Sequence, residues 1–350
     1  MPELINSLVS TIIPVYNRPQ MLREAVASVL AQTHRPIEVI VVDDGSTDNT
    51  PQVAEELARE HLNEVFFVRQ KNSGVGPARE AGRQLACGEF IQYLDSDDLL
   101  RPKKFETQVA ALRSVPDAGA AYGFICVHHE NGLVDDAPAR ASGVARDQLF
   151  PWILVDRWWN TDVPLLRRSL VDTIGPWSDL RWSQDWEYDG RIAALGTRLV
   201  HCADWMCDER RHSGPRQTGH QNPVTAPRLL NQLRFLTLML SHAERGGVAP
   251  DSPYRMHFTR WVFATARQLA SIGLAREASI CLDLADRSAG NCAEARRGLG
   301  TFRTLTRILP SRLVAYLAMF KDSVNRKRSP LTLPLSMWYD DHLPVKRPVS

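Results

Sequence analysis

The chain has 350 residues, of which 44% are hydrophobic, so it can fold around a substantial core. Its 42 basic and 40 acidic residues leave a net charge of +2, which gives no sign of a nucleic-acid or strongly acidic partner. We therefore expect a folded globular protein with no nucleic-acid partner.

The cysteine spacing and the hydropathy indicate in which cellular compartment the protein is expected. The six cysteines show neither CxxC pairs nor the regular framework of a small secreted domain. The N-terminus lacks a basic segment followed by an apolar one, and no window reaches the ~18 uninterrupted apolar residues of a membrane span. We expect buried thiols without disulfides and a cytoplasmic protein, at most peripheral to the inner face of the membrane.

The first hundred residues alternate apolar, β-branched runs with segments of helical spacing. The strand-like runs are 8–14, 37–42, 65–68 and 90–94, and the helix-like segments are 19–32, 48–59 and 78–86. This alternation is typical of a parallel sheet covered on both faces by helices.

Three of these strand ends carry distinctive residues, Pro14–Arg18, Asp43–Ser46 and Asp95–Asp98. Because parallel sheets bind ligands beyond the carboxyl ends of their strands, the three ends are expected to open onto one rim. The acids of Asp95–Asp98 repel one another, so the cluster favours a hard divalent cation. A solvated Asp-rich turn is the alternative.

Further along, helical spacing over 103–113 and a strand-like run over 119–127 extend this domain. A polar loop over 131–143 and an aromatic-rich segment over 148–162 follow. The acids of Ser183–Asp189 then lead into a helix that ends at Gly196, and some of them can simply favour the helix dipole.

From about residue 226 the pattern becomes helical, over 228–242, 258–272 and 279–289. We therefore expect a domain over 1–225, a helical region over 226–330 and an irregular tail over 331–350. The segment 305–320 is amphipathic and basic, and Arg326-Lys327-Arg328 follows it. Such a helix can lie on an anionic membrane or pack with one solvated face.

The blocks Val9–Arg18, Glu38–Asp48 and Gly88–Asp98 together resemble the family 2 glycosyltransferases, which have the GT-A fold. The resemblance covers about 8–215, in the order expected of the family. It implies an α/β fold with a Rossmann-like, mostly parallel sheet, here followed by the C-terminal helical region. It also implies metal-dependent, inverting transfer from a nucleoside diphosphate sugar, UDP-linked by expectation, to a saccharide or lipid-linked acceptor in cell-envelope polysaccharide biosynthesis.

The same resemblance assigns the donor site. The nucleotide-sugar contacts it implies are Pro14, Val15, Tyr16, Asn17, Asp44, Arg79, Asp95 and Ser96. For Arg79 an outward, solvated side chain is the alternative. Mn²⁺ or Mg²⁺ would bind at the DxD motif, with Asp97 as the direct ligand, Asp95 beside it and His212 completing the set. Asp98 is expected to cap the following segment.

A hydroxyl acceptor needs a base well away from the DxD motif. The family's ED-type motif matches at Asp185, with the departure that Gln184 stands where the family commonly has Glu. If the acid at position 184 were the needed one, Glu187 would be the substitute base. The alternative is that the acid on this helix is a salt-bridged structural residue. The acceptor pocket is expected around Trp158, Trp182 and Trp186, with Glu187 nearby, although tryptophans are also ordinary core residues.

Two rival functions differ in class. One is a catalytically silent GT-A domain that binds nucleotide sugars, which intact Asp44, Asp95, Asp97 and Asp185 argue against. The other is a nucleotidyltransferase, which would carry a Gly-rich, basic loop after its first strand. Here Pro14–Arg18 occupies that position.

Overall fold

A computed structural model describes residues 3–135, 137–214 and 225–318. The strands are β1 Ile5–Val15, β2 Ile37–Asp43, β3 Val65–Arg69, β4 Gly88–Tyr93, β5 Leu99–Leu100, β6 Ala118–His128, β7 Leu165–Arg167 and β8 Arg198–Arg210. The α-helices are α1 Pro19–Leu30, α2 Thr50–Glu60, α3 Val75–Leu85, α4 Lys104–Ser114, α5 Arg168–Ile174, α6 Gln184–Ala194, α7 Ala226–Arg245, α8 Pro253–Ser271, α9 Ala275–Ala289 and α10 Leu299–Ile308.

The eight strands form one sheet in the order β3-β2-β1-β4-β7-β6-β8-β5. β1 lies between β2 and β4 and is parallel to both, and β2 is parallel to β3. All seven residues of β2 are buried, as are residues 8–15 of β1, because helices cover both faces of this half of the sheet. The predicted parallel α/β winding of the first hundred residues is confirmed.

α3 approaches the sheet so closely that only glycine fits at one contact. A Cβ atom on Gly82 would lie 2.4 Å from Cγ2 of Ile12 on β1. This close approach brings the N-terminal end of α3, which carries Arg79, next to the strand ends.

The second half of the sheet is mixed, with β7 antiparallel to both β4 and β6 and β5 antiparallel to β8. β6 and β8 pair in parallel along most of their length. The sequence analysis assigned neither β7 nor β8. β7 has three residues, and β8 lacks a continuous apolar run because many of its side chains stay partly exposed.

The C-terminal part of the described chain is helical, as predicted, and α7 packs against α6 of the preceding domain. The expectation of one amphipathic segment over 305–320 is corrected. α10 ends at Ile308 and residues 311–318 form a separate helical segment, because Pro310 lacks the N–H that a continuous helix requires. Phe320, Arg326-Lys327-Arg328 and the tail over 331–350 lie outside the described residues, as does 215–224 before the predicted boundary.

Among the helices that the structure describes, none combines the length and the hydropathy of a membrane span.

Candidate active site

A cleft of about 920 Å³ opens where the predicted strand ends meet. It collects residues that are far apart in sequence, because β1, β2 and β4 are adjacent and parallel and all end at this edge. The residues singled out by sequence that line the cleft are Pro14, Val15, Tyr16, Asn17, Arg18, Asp44, Arg79, Asp95, Ser96, Asp97, Asp98, Gln184, Asp185 and His212.

The end of β1 forms one wall of the cleft. Tyr16 is 45% exposed, which leaves its ring open to stack on a planar group. Asn17 has a positive φ of 51°, and its side-chain oxygen accepts a hydrogen bond of 2.8 Å from the backbone N–H of Thr47. This bond joins the β1 end to the loop after β2.

The paired acids at the end of β2 have different roles. Asp43 is fully buried, pairs with Arg69 at 3.1 Å and accepts from the backbone N–H of Ser46. Asp44 lines the cleft, and its carboxylate accepts three hydrogen bonds of 2.8 Å from the side chain of Gln70 and the backbone N–H groups of Ser73 and Gly74. Asp44 therefore also fixes the loop that precedes α3.

Arg79 is 2% exposed, which corrects the alternative of an outward, solvated side chain. Its guanidinium donates to Oδ1 of Asp95 at 2.5 Å and lies 4.6 Å above the ring of Trp177. Nε and Nη1 of Arg79 have no hydrogen-bond partner among the described residues. A buried guanidinium with spare donors at a cleft is suited to receive an anionic ligand.

Asp97 lies between two nitrogen donors, Nη1 of Arg18 at 2.7 Å and Nε2 of His212 at 3.1 Å. Burial alone would raise the pKa of the Asp97 carboxyl, but Arg18 and the His212 hydrogen bond outweigh it and hold that pKa below its usual range. The carboxylate is therefore ionised at neutral pH.

The residues expected to hold a divalent metal lie in one cleft, and each of their carboxylates is paired with an arginine, Asp97 with Arg18 at 2.7 Å and Asp95 with Arg79 at 2.5 Å. Two carboxylates, Asp95 and Asp97, and the imidazole of His212 line one cleft, and oxygen and imidazole ligands suit Mn²⁺. Nδ1 of His212 is buried with no hydrogen-bond partner among the described residues, whereas Nε2 is bonded to Asp97. Either ring nitrogen of a neutral histidine can bind a metal.

Asp98 is not a helix cap, because the short strand β5 follows it directly. Its Oδ1 accepts a 2.9 Å hydrogen bond from the backbone N–H of Arg210, which fastens the end of β8 to the DxD turn. Burial and the charge of Asp162 raise the pKa of the Asp98 carboxyl well above its usual value. Asp98 also lines the cleft, so an acceptor or sugar contact stays a prediction beside its structural role.

Asp185 lies in the first turn of α6 and faces the cleft. Nη1 of Arg157 donates to its carboxylate at 2.6 Å, and the same guanidinium pairs with Asp189 at 3.4 Å. Burial opposes ionisation of Asp185, but Arg157 and Arg79 lower its pKa overall. The side chain is thus an ionised carboxylate held at a fixed position.

Glu187 does not line the cleft, which corrects its candidacy as a substitute base and as an acceptor contact. It is 3% exposed and is paired with His242 at 2.9 Å and with Arg191 at 3.0 Å. These contacts turn it toward α7, away from the cleft edge of α6.

The tryptophans proposed for the acceptor pocket lie elsewhere. Trp158 is 2% exposed within the core, and Trp186 packs against Phe235 and Trp261 and donates to the carbonyl of Ile153 at 2.8 Å. Trp182 is half-buried and is not part of the cleft wall. None of the three rings lines the cleft, and their part in an acceptor site stays a prediction.

Several cleft residues were not singled out from the sequence, namely Arg140, Arg157, Asn160, Thr161, Arg181 and Glu209. They come from the long connection between β6 and β7, the loop before α6, and β8. Polar residues in such segments carry no periodic signal, so only their spatial convergence identifies them. The tertiary structure brings Arg157, Asn160 and Thr161 from one loop into the cleft that Asp185 also lines, and Arg157 bonds to the Asp185 carboxylate.

A second group of ligand-type residues, Cys126, His128 and Asp208, lies within 4.8 Å on neighbouring strands β6 and β8. Arg101 already donates to the Asp208 carboxylate at 2.6 Å and 2.9 Å. An arginine thus pairs with the Asp208 carboxylate, as arginines pair with Asp95 and Asp97 in the cleft. None of Cys126, His128 and Asp208 lines the cleft.

Comparison with known proteins finds a family match over part of the chain. Residues 10–162 match the family described as Glycosyl transferase family 2. An uncharacterized glycosyltransferase of Nostoc sp. is 30% identical over 201 residues, covering 57% of this chain and 60% of that protein. One of Rickettsia conorii is 32% identical over 151 residues, covering 43% of this chain and 24% of that protein. The chain thus spans less than two thirds of the length of these relatives.

Among solved structures, that of S. aureus TarS 1–349 in complex with UDP-GlcNAc superposes with a TM-score of 0.65 at 18% identity, over 88% of this chain and 89% of that one. The UDP complex of the same protein gives a TM-score of 0.64 over 89% and 91%. At this identity the likeness shows a shared fold, and the coverage includes the C-terminal helices.

Proposed function

We propose that the chain, which has the GT-A fold, is a family 2 glycosyltransferase. It would transfer a hexose from a UDP-sugar to an acceptor hydroxyl, with metal dependence and with inversion at the anomeric carbon. One observation carries this proposal. A single cleft combines a carboxylate and imidazole set suited to a divalent cation with a separate ionised carboxylate on another element.

The donor side of the mechanism rests on charge. Asp97, Asp95 and His212 would hold the metal, and a bound Mn²⁺ or Mg²⁺ supplies neutralisation of the departing diphosphate. The unpartnered N–H groups of Arg79 would donate to the same anion, and they are preorganised because Asp95 and Trp177 fix the guanidinium. Tyr16 would stack on the base, with Pro14, Val15, Asn17, Asp44 and Ser96 completing the wall.

The acceptor side rests on Asp185. Its carboxylate would take the proton of the acceptor hydroxyl as the oxygen attacks the anomeric carbon, in a single displacement that inverts the configuration. Arg157 holds the carboxylate in place and lowers its pKa, so Asp185 is unprotonated before the acceptor binds. Proton transfer then accompanies the growing positive charge on the attacking oxygen.

The nucleotide is proposed from the ligands of a protein with the same fold, and the acceptor from its chemical class. UDP and UDP-GlcNAc are ligands of TarS, which has the same fold at 18% identity, so UDP is our proposal for the nucleotide. We propose a saccharide or a lipid-linked acceptor, and a role in cell-envelope polysaccharide synthesis. The free cysteines suit a reducing, cytoplasmic compartment.

We propose a division of the chain into a GT-A domain over 1–225, a helical region over 226–330 and a tail over 331–350.

We also propose contact of the helical region with an anionic bilayer. Six large apolar side chains between Leu305 and Leu317 are 39–74% exposed, and Arg307 and Arg312 lie among them. Sedimentation with anionic vesicles should fall when Ile308 and Leu317 are replaced by serine. Undiminished binding by that double variant would remove the membrane proposal.

A catalytically silent binding module is the second candidate. The observation in its favour is that Asp95, Asp97 and Asp185 each pair with an arginine, as in a charge-balanced binding cleft. The two candidates differ in turnover, which only an enzyme shows.

A thermal-shift screen of nucleoside diphosphate sugars, each with and without Mn²⁺, tests the donor proposal. A donor that binds the folded state raises its stability by RT ln(1 + [L]/Kd). We expect UDP-sugars to raise the melting temperature only with Mn²⁺ present. The anomeric configuration of the product then tests the displacement, since retention would contradict Asp185 as the base.

A further inference from the structure

The helix that carries Asp185 is fastened to the C-terminal helical region on both sides of that residue. On the N-terminal side, Oδ1 of Asn231 on α7 accepts from the backbone N–H groups of Arg181 and Trp182 at 2.9 Å and 3.4 Å. Its Nδ2 donates to the carbonyl of Trp182 at 2.9 Å. One side chain thus makes three hydrogen bonds to the turn that leads into α6.

On the C-terminal side, Glu187 receives a hydrogen bond of 2.9 Å from Nε2 of His242, and both side chains are nearly fully buried. Arg245 donates to Nδ1 of the same ring. Because a guanidinium only donates, Nδ1 is the acceptor and the proton of a neutral His242 lies on Nε2. Burial would raise the pKa of the Glu187 carboxyl, but His242 and Arg191 lower it overall, so Glu187 accepts as a carboxylate.

α6 and α7 also pack closely beside these attachments. A Cβ atom on Gly190 would lie 2.6 Å from Sδ of Met239 on α7, so a larger residue there requires Met239 to move. The ring of Trp186, next to Asp185 in sequence, lies 5.5 Å from that of Phe235 and 5.3 Å from that of Trp261. Residues 182, 186 and 187 are therefore all held from the helical region, while Asp185 projects into the cleft.

Neither Asn231 nor His242 belongs to the cleft wall in the part of the chain that the structure describes. They reach the cleft only through the backbone of the turn and of α6. The donor side of the cleft is built from the ends of β1, β2 and β4, and neither residue contacts it.

We propose that the C-terminal helical region sets the position of the acceptor-activating carboxylate, with Asn231 and His242 as positioning residues for Asp185. The inference rests on the proposed function, in which Asp185 is the base. It gives the helical region a role in turnover that is separate from donor binding.

Misplacement of a reacting group by about 1 Å can cost on the order of 100-fold in rate. We therefore expect Asn231→Ala and His242→Leu to lower turnover about 10- to 100-fold, with UDP affinity unchanged. His242→Gln, which can still donate to Glu187 and accept from Arg245, should recover most of the loss. Arg234→Ala is the matched control on α7, since Arg234 makes only an exposed pair with Asp179.

The test is a double-mutant cycle, measured as release of UDP from UDP-GlcNAc with Mn²⁺ and water as acceptor. If Asn231 acts through Asp185, then Asn231→Ala lowers turnover in the wild type and adds no loss in the Asp185→Asn background. An equal fractional loss in both backgrounds, or none in the wild type, would overturn the inference. If Asp185→Asn itself keeps full turnover, the proposed function is wrong instead.

Hydrogen exchange gives a second readout that needs no activity. The amides of 181–187 should exchange faster in Asn231→Ala than in Arg234→Ala, while those of 43–46 and 95–98 stay unchanged. Unchanged exchange over 181–187 would contradict the positioning role. Should Asn231→Ala fail to fold, the comparison of His242→Leu with His242→Gln carries both measurements.

Discussion

Replacing Asp97 with asparagine keeps the size of the side chain and removes its charge. The carboxylate is 15% exposed and lies between Arg18 and His212, so solvent screens its interactions only weakly. Removing a residue that hydrogen-bonds to a metal ligand lowers metal affinity about 10- to 100-fold. Removing the ligand itself should lower metal affinity by at least about 100-fold. With Mn²⁺ present, Asp97→Asn should therefore bind UDP at least about 100-fold more weakly, or ~2.7 kcal/mol.

Titration calorimetry with UDP, with and without Mn²⁺, measures this effect. Without metal the variant should bind UDP no more weakly than the wild type, because the lost carboxylate repels phosphate. Asp117→Asn is the control, since Asp117 makes an exposed pair with Arg198 far from the cleft wall. Equal UDP affinity of wild type and Asp97→Asn in Mn²⁺ would refute the metal assignment.

Four further predictions concern buried charges. Arg79→Met removes the unpartnered donors of the cleft, so UDP in Mn²⁺ should bind about 10-fold more weakly, and calorimetry showing unchanged affinity would contradict that. His242→Leu should lower the free energy of unfolding in urea by about 1.5–3 kcal/mol at pH 7, because Glu187 keeps only Arg191. The pKa of the Glu187 carboxyl is lowered in the folded state. The carboxylate therefore stabilises the fold fully above its ordinary pKa of 4.5, and this stabilisation declines as the pH falls through the folded-state pKa. The wild type should thus lose stability relative to Glu187→Gln as the pH falls, and a stability difference in favour of the wild type that grows in acid would contradict the prediction. Burial lowers the pKa of Lys104 from 10.5 to about 8. Between pH 8 and 10.5 the free energy of unfolding of the wild type should therefore rise relative to that of Lys104→Met, by up to ~3 kcal/mol in urea unfolding. A difference in unfolding free energy that does not change with pH would show that the lysine is not desolvated.

The sequence predicted the first half of the fold and the location of the cleft. β1, β2 and β4 are buried on both faces, so they appear as continuous apolar runs, and the polar residues that end them must meet at one edge. The family resemblance assigned the metal and nucleotide candidates, and most of them lie at these strand ends, whereas Arg79 lies on α3. β7 and β8 gave no such signal, since one is short and the other is partly exposed.

The acceptor side was less predictable for a physical reason. Glu187 and Trp186 follow Asp185 directly in sequence, yet helical geometry turns successive residues by about 100°, so neighbours of a cleft residue face the packing partner instead. Only the position of α7 decides which of them is buried. Arg157, which holds Asp185, comes from a loop 28 positions earlier and has no sequence signal that links the two.

The most direct measurement of the central claim compares Asp185→Asn with the wild type in UDP affinity and in turnover of UDP-GlcNAc with Mn²⁺. Removal of a general base costs typically 10²–10⁴-fold in rate. We predict UDP affinity within about twofold of the wild type, together with a fall in turnover of at least ~100-fold. Turnover equal to that of the wild type would contradict Asp185 as the base and, with it, the proposed mechanism.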